Sequence, residues 1–118
     1  MIYFELQGLP STTNSSGRKH WAIKAREARH WKQAVAIALL DCIRSNKPFQ
    51  KARGTFTRCS SSECDFDGLV SSFKSTIDGL VSAGVLINDK PSNLDALYLW
   101  KAGKPKHGYI TVMVEEII

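Results

Sequence analysis

The stretch DFDGLVSSFKSTIDGLVSAGVLIND, residues 65–89, decides how this chain is read. It opens on two carboxylates, Asp65 and Asp67, carries Lys74 in its middle and closes on Asn88-Asp89. Between them Leu69, Phe73, Ile77, Leu80 and Val81 recur at helical spacing as one apolar stripe, and Gly84 is placed to end the helix. A helix starting near Asp67 puts Asp67, Lys74 and Asp78 on one polar face beside that stripe. Asp65, two residues ahead and extended, points the same general way. Asp89 joins the other carboxylates if the chain runs back beside the start of this helix.

Working outward, Ile2, Phe4 and Leu6 alternate with polar or amphipathic neighbours as in a half-buried strand, which Gly8-Leu9-Pro10 ends. The small polar residues 11–17 form a loop with candidate helix caps. Over residues 18–45, Trp21, Ala28, Trp31, Val35, Ala38, Leu39 and Cys42 recur at three and four residues. This predicts a long amphipathic helix that Asn46-Lys47-Pro48 stops, with Trp21 and Trp31 in the core or a dimer interface. A strand is expected over 51–58, broken by Ser60-Ser61-Ser62, and two more over 97–101 and 109–115, joined as a closing hairpin. The order strand, helix, strand, helix, strand, strand predicts an α+β fold, a mixed β-sheet with two helices packed on one face. With 118 residues and 43% apolar content, residues 1–118 make a single domain.

Sixteen Lys and Arg against eleven Asp and Glu give a formal charge of +5, an excess that suits either solubility or a polyanionic partner. Three cysteines, Cys42, Cys59 and Cys64, are too few and odd in number for a disulfide scaffold, and no second Cys or His pair follows at zinc-finger spacing. No secretory leader is read before the first strand, so a reducing cytoplasm is expected. The apolar run 34–40 is far too short to span a bilayer, and no membrane is implied.

Clustered aspartates beside a lysine match what a magnesium-dependent phosphodiesterase requires. The hard ion takes one or two carboxylates plus phosphate oxygens, and a cation near the transferring phosphoryl group offsets its charge. The same residues also have structural readings. Asp65 or Asp67 can be a helix N-cap, Asp89 a turn residue, and Lys74 with Asp78 a surface ion pair at i, i+4. Candidate phosphate contacts are Asn14, Arg18, Lys19 and Lys24 at or near the first helix, Arg53 and Arg58 on the second strand, and Lys101, Lys104 and Lys106 in the closing hairpin. No histidine is assigned to catalysis.

Taken together, Asp65-Phe66-Asp67, Lys74, the Asp78-Gly79-Leu80 segment, Ala83-Gly84 and Asn88-Asp89 resemble the RusA family of Holliday junction resolvases. That family carries Asp-x-Asp-Asn-Leu, a lysine on the following helix, Asp-Ala-Leu or Asp-Gly-Leu, Ala-Gly, and a pair of acidic residues. The loop Leu9-Pro10-Ser11-Thr12-Thr13-Asn14 and the basic segment up to Gly108 resemble its two ends, so nearly the whole chain is covered. The resemblance implies a RusA-like fold and a homodimer acting on branched DNA. It implies a magnesium-dependent endonuclease, with manganese as substitute, that resolves four-way junctions by paired symmetric cuts. Asp65, Asp67 and Asp89 would be the metal ligands, and Lys74 would join them in catalysis. Gly68 stands where the family has Asn, Asn88 where it has the first acid of the pair, and Lys74 lies about one turn farther from the Asp motif than in shorter members. These departures leave two alternatives: a catalytically weakened junction-binding module, and a metal-dependent nuclease on other branched nucleic acids.

Overall fold

In the computed structural model, which describes residues 1–12, 21–42, 44 and 46–118, four strands form one mixed sheet. They are β1 (Ile2–Gln7), β2 (Ala52–Ser60), β3 (Leu94–Ala102) and β4 (Tyr109–Glu116), in the spatial order β1-β4-β2-β3. β4 runs antiparallel to both β1 and β2, while β2 and β3 are parallel. The helices are α1 (Trp21–Leu39), α2 (Phe66–Ser72) and α3 (Lys74–Ser82). This is the α+β arrangement expected from the alternating patterns.

Period-two alternation puts every second side chain of each strand on the helix-bearing face. Phe4, Val112, Phe56 and Tyr98 stand in register across all four strands, and Phe56 stacks on Tyr98 at 5.6 Å between ring centroids. From above, α1 lowers Trp31, Val35 and Leu39, each four residues from the next, and α3 lowers Ile77 and Leu80. The two helices touch at Gly79, where an added Cβ would come within 3.2 Å of Val35 Cβ and 3.3 Å of Lys32 Cα. The missing side chain there lets the helices approach closely over the sheet.

Two expectations are corrected. The last two strands are not a hairpin, because β2 lies between β3 and β4. The connecting segment crosses the end of β2. Gly103 donates its N–H to Ser60 O at 2.9 Å, and its Cα lies so close to Cys59 that an added Cβ would stand 2.8 Å from the sulfur. The second helix is not continuous either. At Phe73 (φ −97°, ψ 0°) it breaks into α2 and α3. Ser71 and Ser72 donate their hydroxyls to Gly68 O and Leu69 O at 3.1 and 2.8 Å, and Phe73 N–H bonds to Val70 O three residues back. Such side-chain bonds compete with the helical pattern and tighten the last turn. Fully buried Phe73 then drops into the core, 5.4 Å from Phe56 and 6.1 Å from Tyr98 between ring centroids. Trp21, expected on the apolar stripe, is 75% exposed, whereas Trp31 is buried.

At its far end α3 closes as the sequence predicts. Gly84 adopts φ +82°, which only glycine reaches without penalty, its N–H bonds to Val81 O, and Val85 N–H bonds to Leu80 O. The chain then turns through residues 85–93 into β3, which completes a β2–α2–α3–β3 crossover.

Candidate active site

Asp65 caps α2. Its carboxylate accepts a hydrogen bond from Gly68 N–H at 2.8 Å, with an extended backbone at Asp65 (φ −68°, ψ 169°). Asp67 follows in the first turn, where a negative charge suits the positive end of the helix dipole. Both aspartates are exposed. Gly68 is buried, and an added Cβ would meet the Asp65 carboxylate at 2.7 Å and Thr12 Cβ at 3.3 Å. The glycine that departs from the resolvase pattern is therefore the residue this crowded turn accommodates.

Lys74 opens α3 and pairs with Asp78 at 3.8 Å, one turn on. With the lysine side chain 76% exposed, this pair contributes little to stability. The helix break interrupts the polar face expected to run from Asp67 through Lys74 to Asp78.

Lys74 faces an open groove of about 350 Å³ between the α2–α3 segment and β3. Asp89 and Tyr98 line the same groove, with Ser71 and Val70 on α2 and Leu94 and Ala96 on β3. Asp67 lies three and four residues before Val70 and Ser71, so it occupies the same face of α2 one turn toward the helix start. Asp89 is exposed, and its backbone N–H bonds to Asn88 Oδ1 at 2.7 Å. The phenol of Tyr98 is held above its ordinary 10.0, first by burial and then by the charge of Asp89. At neutral pH it is a hydrogen-bond donor facing the groove.

Lys74 and Asp89 thus line one groove, and Asp67 lies one helical turn before its α2 residues. Tyr98 was not singled out from the sequence. Its signal was positional: Leu94, Ala96 and Tyr98 alternate onto one face of β3, the face that looks at the helices.

The proposed metal ligands are exposed carboxylates, the hard donors that magnesium takes. Among the described residues, however, no three or more His, Cys, Asp or Glu side chains are gathered so as to hold a metal ion. Asp65, Asp67 and Asp89 therefore do not fit a preformed three-carboxylate cage.

The candidate phosphate contacts are dispersed. Asn14, Arg18 and Lys19 lie outside the described residues. Lys24, on α1, shares a second groove of about 430 Å³ with Lys74, Glu27 and Asp78. Arg53 bonds Asp95 at 3.4 Å on the sheet face away from the helices, the face that also carries Lys101. Lys104 and Lys106 lie in the β3–β4 connection near Ser61, at the end of the sheet from which the chain leaves β2 toward Asp65.

Arg58 is a different case. It is only 8% exposed, donates to Pro10 O at 2.6 Å and leaves its Nε without a partner. Burial pulls its guanidinium below the ordinary value, an effect that neighbouring Cys64 partly opposes. As placed, it anchors the Pro10 segment and does not present its charge to solvent.

Three free cysteines and no described helix long and apolar enough to cross a membrane complete the picture. Compared with known proteins, the chain matches no family model and no curated protein.

Proposed function

We propose that this chain is a magnesium-dependent endodeoxyribonuclease of the reducing cytoplasm that cuts branched DNA. Its two copies would place paired nicks across a four-way junction, since a two-fold protein matches a two-fold substrate. The observation that carries this reading is the groove that Lys74 and Asp89 both line, with Asp67 one helical turn before Val70 and Ser71 of its wall.

In that groove Lys74 supplies a positive charge for a non-bridging phosphate oxygen, and its exposure leaves it free to exchange Asp78 for substrate. Tyr98, kept neutral, can donate a hydrogen bond to the same phosphate. The carboxylates of Asp67 and Asp89 would repel DNA unless a cation accompanied it. Magnesium, or manganese in its place, is the cation proposed, because an ion that takes one or two carboxylates together with phosphate oxygens needs no closed protein cage. A second reading, a junction-binding module without turnover, is favoured by the carboxylates that are not gathered and by Asp65 being engaged as a cap.

Incubation with an end-labelled four-way junction and magnesium separates the two. Paired nicks are expected that disappear with EDTA and fall by about 100-fold or more in Asp67→Asn and Asp89→Asn. Salt-sensitive binding to the junction without nicks under any divalent metal would establish the second reading instead.

A further inference from the structure

Ser71 and Lys74 line both the groove that contains Asp89 and the one that contains Lys24, so they form the ridge between the two. The grooves differ in chemistry. The second carries the charged side chains of Lys24, Glu27 and Asp78, whereas the walls of the first are mostly apolar: Val70 and Ile77 on the helices, Pro91 in the turn, and Leu94 and Ala96 on β3. A phosphate with its cation gains nothing from such walls, because ions lose solvation against apolar surface.

On the β3 side stands Tyr98, and its ring is held in place. One face stacks on Phe56 at an interplanar angle of 27°, and Phe73 packs against it at 6.1 Å between centroids. Since β3 is an edge strand, no further strand among the described residues covers the side away from β2. A rigid, half-buried aromatic ring beside apolar walls, with one exposed lysine at the rim, is the combination that holds a nucleotide. The base packs on the ring and the walls, and the phosphate meets the lysine.

We propose that this groove takes a single unpaired nucleobase next to the phosphate held at Lys74. The inference rests on the nuclease reading for the identity of the polymer and deepens it by naming the part of DNA that enters the groove. A volume of about 350 Å³ lies at the lower end of small-ligand sites, roughly 300–1,000 Å³, and admits one base but no duplex. The sugar–phosphate backbone follows the Ser71–Lys74 ridge, both of whose residues are exposed, and the base turns inward. Taking a base out of a paired stack costs free energy, and the cost is least where the base is already unpaired. Filling this groove therefore favours single strands, bulges and the crossover of a branched molecule over continuous duplex. No base edge has to be read, because every base has a π-face.

The test uses the full chain with calcium in place of magnesium, which neutralises the carboxylates without enforcing octahedral geometry. A fluorescein-labelled single-stranded oligonucleotide is compared with the same strand made abasic throughout. The base-bearing strand is expected to bind at least about 10-fold more tightly in anisotropy titrations. In carbon NMR the Tyr98 ring, identified by the signal lost in Tyr98→Phe, is expected to shift with the base-bearing strand and to stay in place with the abasic strand or a blunt duplex. Ala96→Phe fills the groove from its β3 wall and is expected to bring the ratio of affinities close to one, while the abasic strand binds as it does to the wild type. Circular dichroism checks the fold of this variant, and if it does not fold, the Tyr98 shift in the wild-type chain decides alone. Equal affinity for the two strands, a Tyr98 ring that ignores bound bases, or a folded Ala96→Phe chain that keeps the preference would each overturn the proposal. So would a Tyr98 ring that answers an apolar peptide and no oligonucleotide, which would assign the groove to a protein partner. Cleavage of a four-way junction in magnesium is scored separately. A chain that prefers bases but nicks nothing keeps the groove and loses the nuclease, and a chain that nicks junctions with no preference for bases does the reverse.

Discussion

Asp65 and Asp89 are both exposed aspartates in turns that lead into regular structure, yet their surroundings differ. Asp65 is tied down. Its carboxylate holds Gly68 N–H at 2.8 Å, and Thr12 closes over the same glycine. Among the described residues Asp89 has its backbone N–H engaged by Asn88, and it lines a groove with Lys74 and with Tyr98, whose phenol feels its charge. Two acids that are equivalent as sequence are thus unequal as chemistry. One is built into the fold, and the other is available to a ligand together with a base. The comparison also shows where Asn88 stands: its amide serves the backbone of the turn, as a first acid at that position could also do.

The sharpest way to break the comparison is to fill the crowded turn. Gly68→Asn restores the residue of the resolvase pattern but places a Cβ 2.7 Å from the Asp65 carboxylate, so either the cap or Thr12 has to move. We expect a loss of about 1–3 kcal/mol in urea unfolding. Unchanged or raised stability would show that the Asp65 turn is as adaptable as the Asp89 turn.

A smaller change separates the cap from the charge. Asp65→Ala removes the acceptor and should lower stability by about 1 kcal/mol, whereas Asp65→Asn keeps a capping oxygen and should stay within a few tenths. If both variants unfold together with the wild type, the cap is not what Asp65 contributes. If Asp65→Asn is as stable as the wild type but loses junction cleavage, the charge serves chemistry as well.

These distinctions were only partly legible in the sequence, and the reasons are physical. β1 and β2 announce themselves because Ile2 and Phe4, and Ala52 and Phe56, alternate into one buried face, and a two-residue period has no other use. Gly84 marks the end of α3 because only the left-handed conformation fits there. The partner of β4 was not legible. Its alternation is the same whether it lies beside β3 or is inserted between β1 and β2, and the choice is made by long-range packing. The break at Phe73 was hidden for a related reason. Leu69, Phe73, Ile77 and Leu80 keep helical spacing across it, while the cause, two serine hydroxyls turned onto their own helix, depends on rotamers that spacing does not encode. The acidic residues were legible as a set but not as a geometry, and the structure divides them between a cap and a groove.

The finest probe of that division is Tyr98, whose phenol is raised by burial and by the charge of Asp89 and not by that of Asp65. Its phenol is raised above 10.0 by burial first and by the Asp89 charge second. Asp89→Asn removes only the second cause, so the phenol should titrate lower than in the wild type yet stay above 10.0, as followed by carbon NMR of the ring. The sign carries through to stability. A phenol raised in the folded state favours its neutral form, so its contribution is complete below 10.0 and is lost as pH rises through the folded value. With the folded and unfolded values closer together in Asp89→Asn, less is lost, and alkaline unfolding should move to slightly higher pH. Asp65→Asn should leave the Tyr98 titration where it is. If instead Tyr98 ignores Asp89→Asn, the carboxylate does not face the groove, and the shared groove of Lys74 and Asp89 on which the nuclease reading stands fails with it.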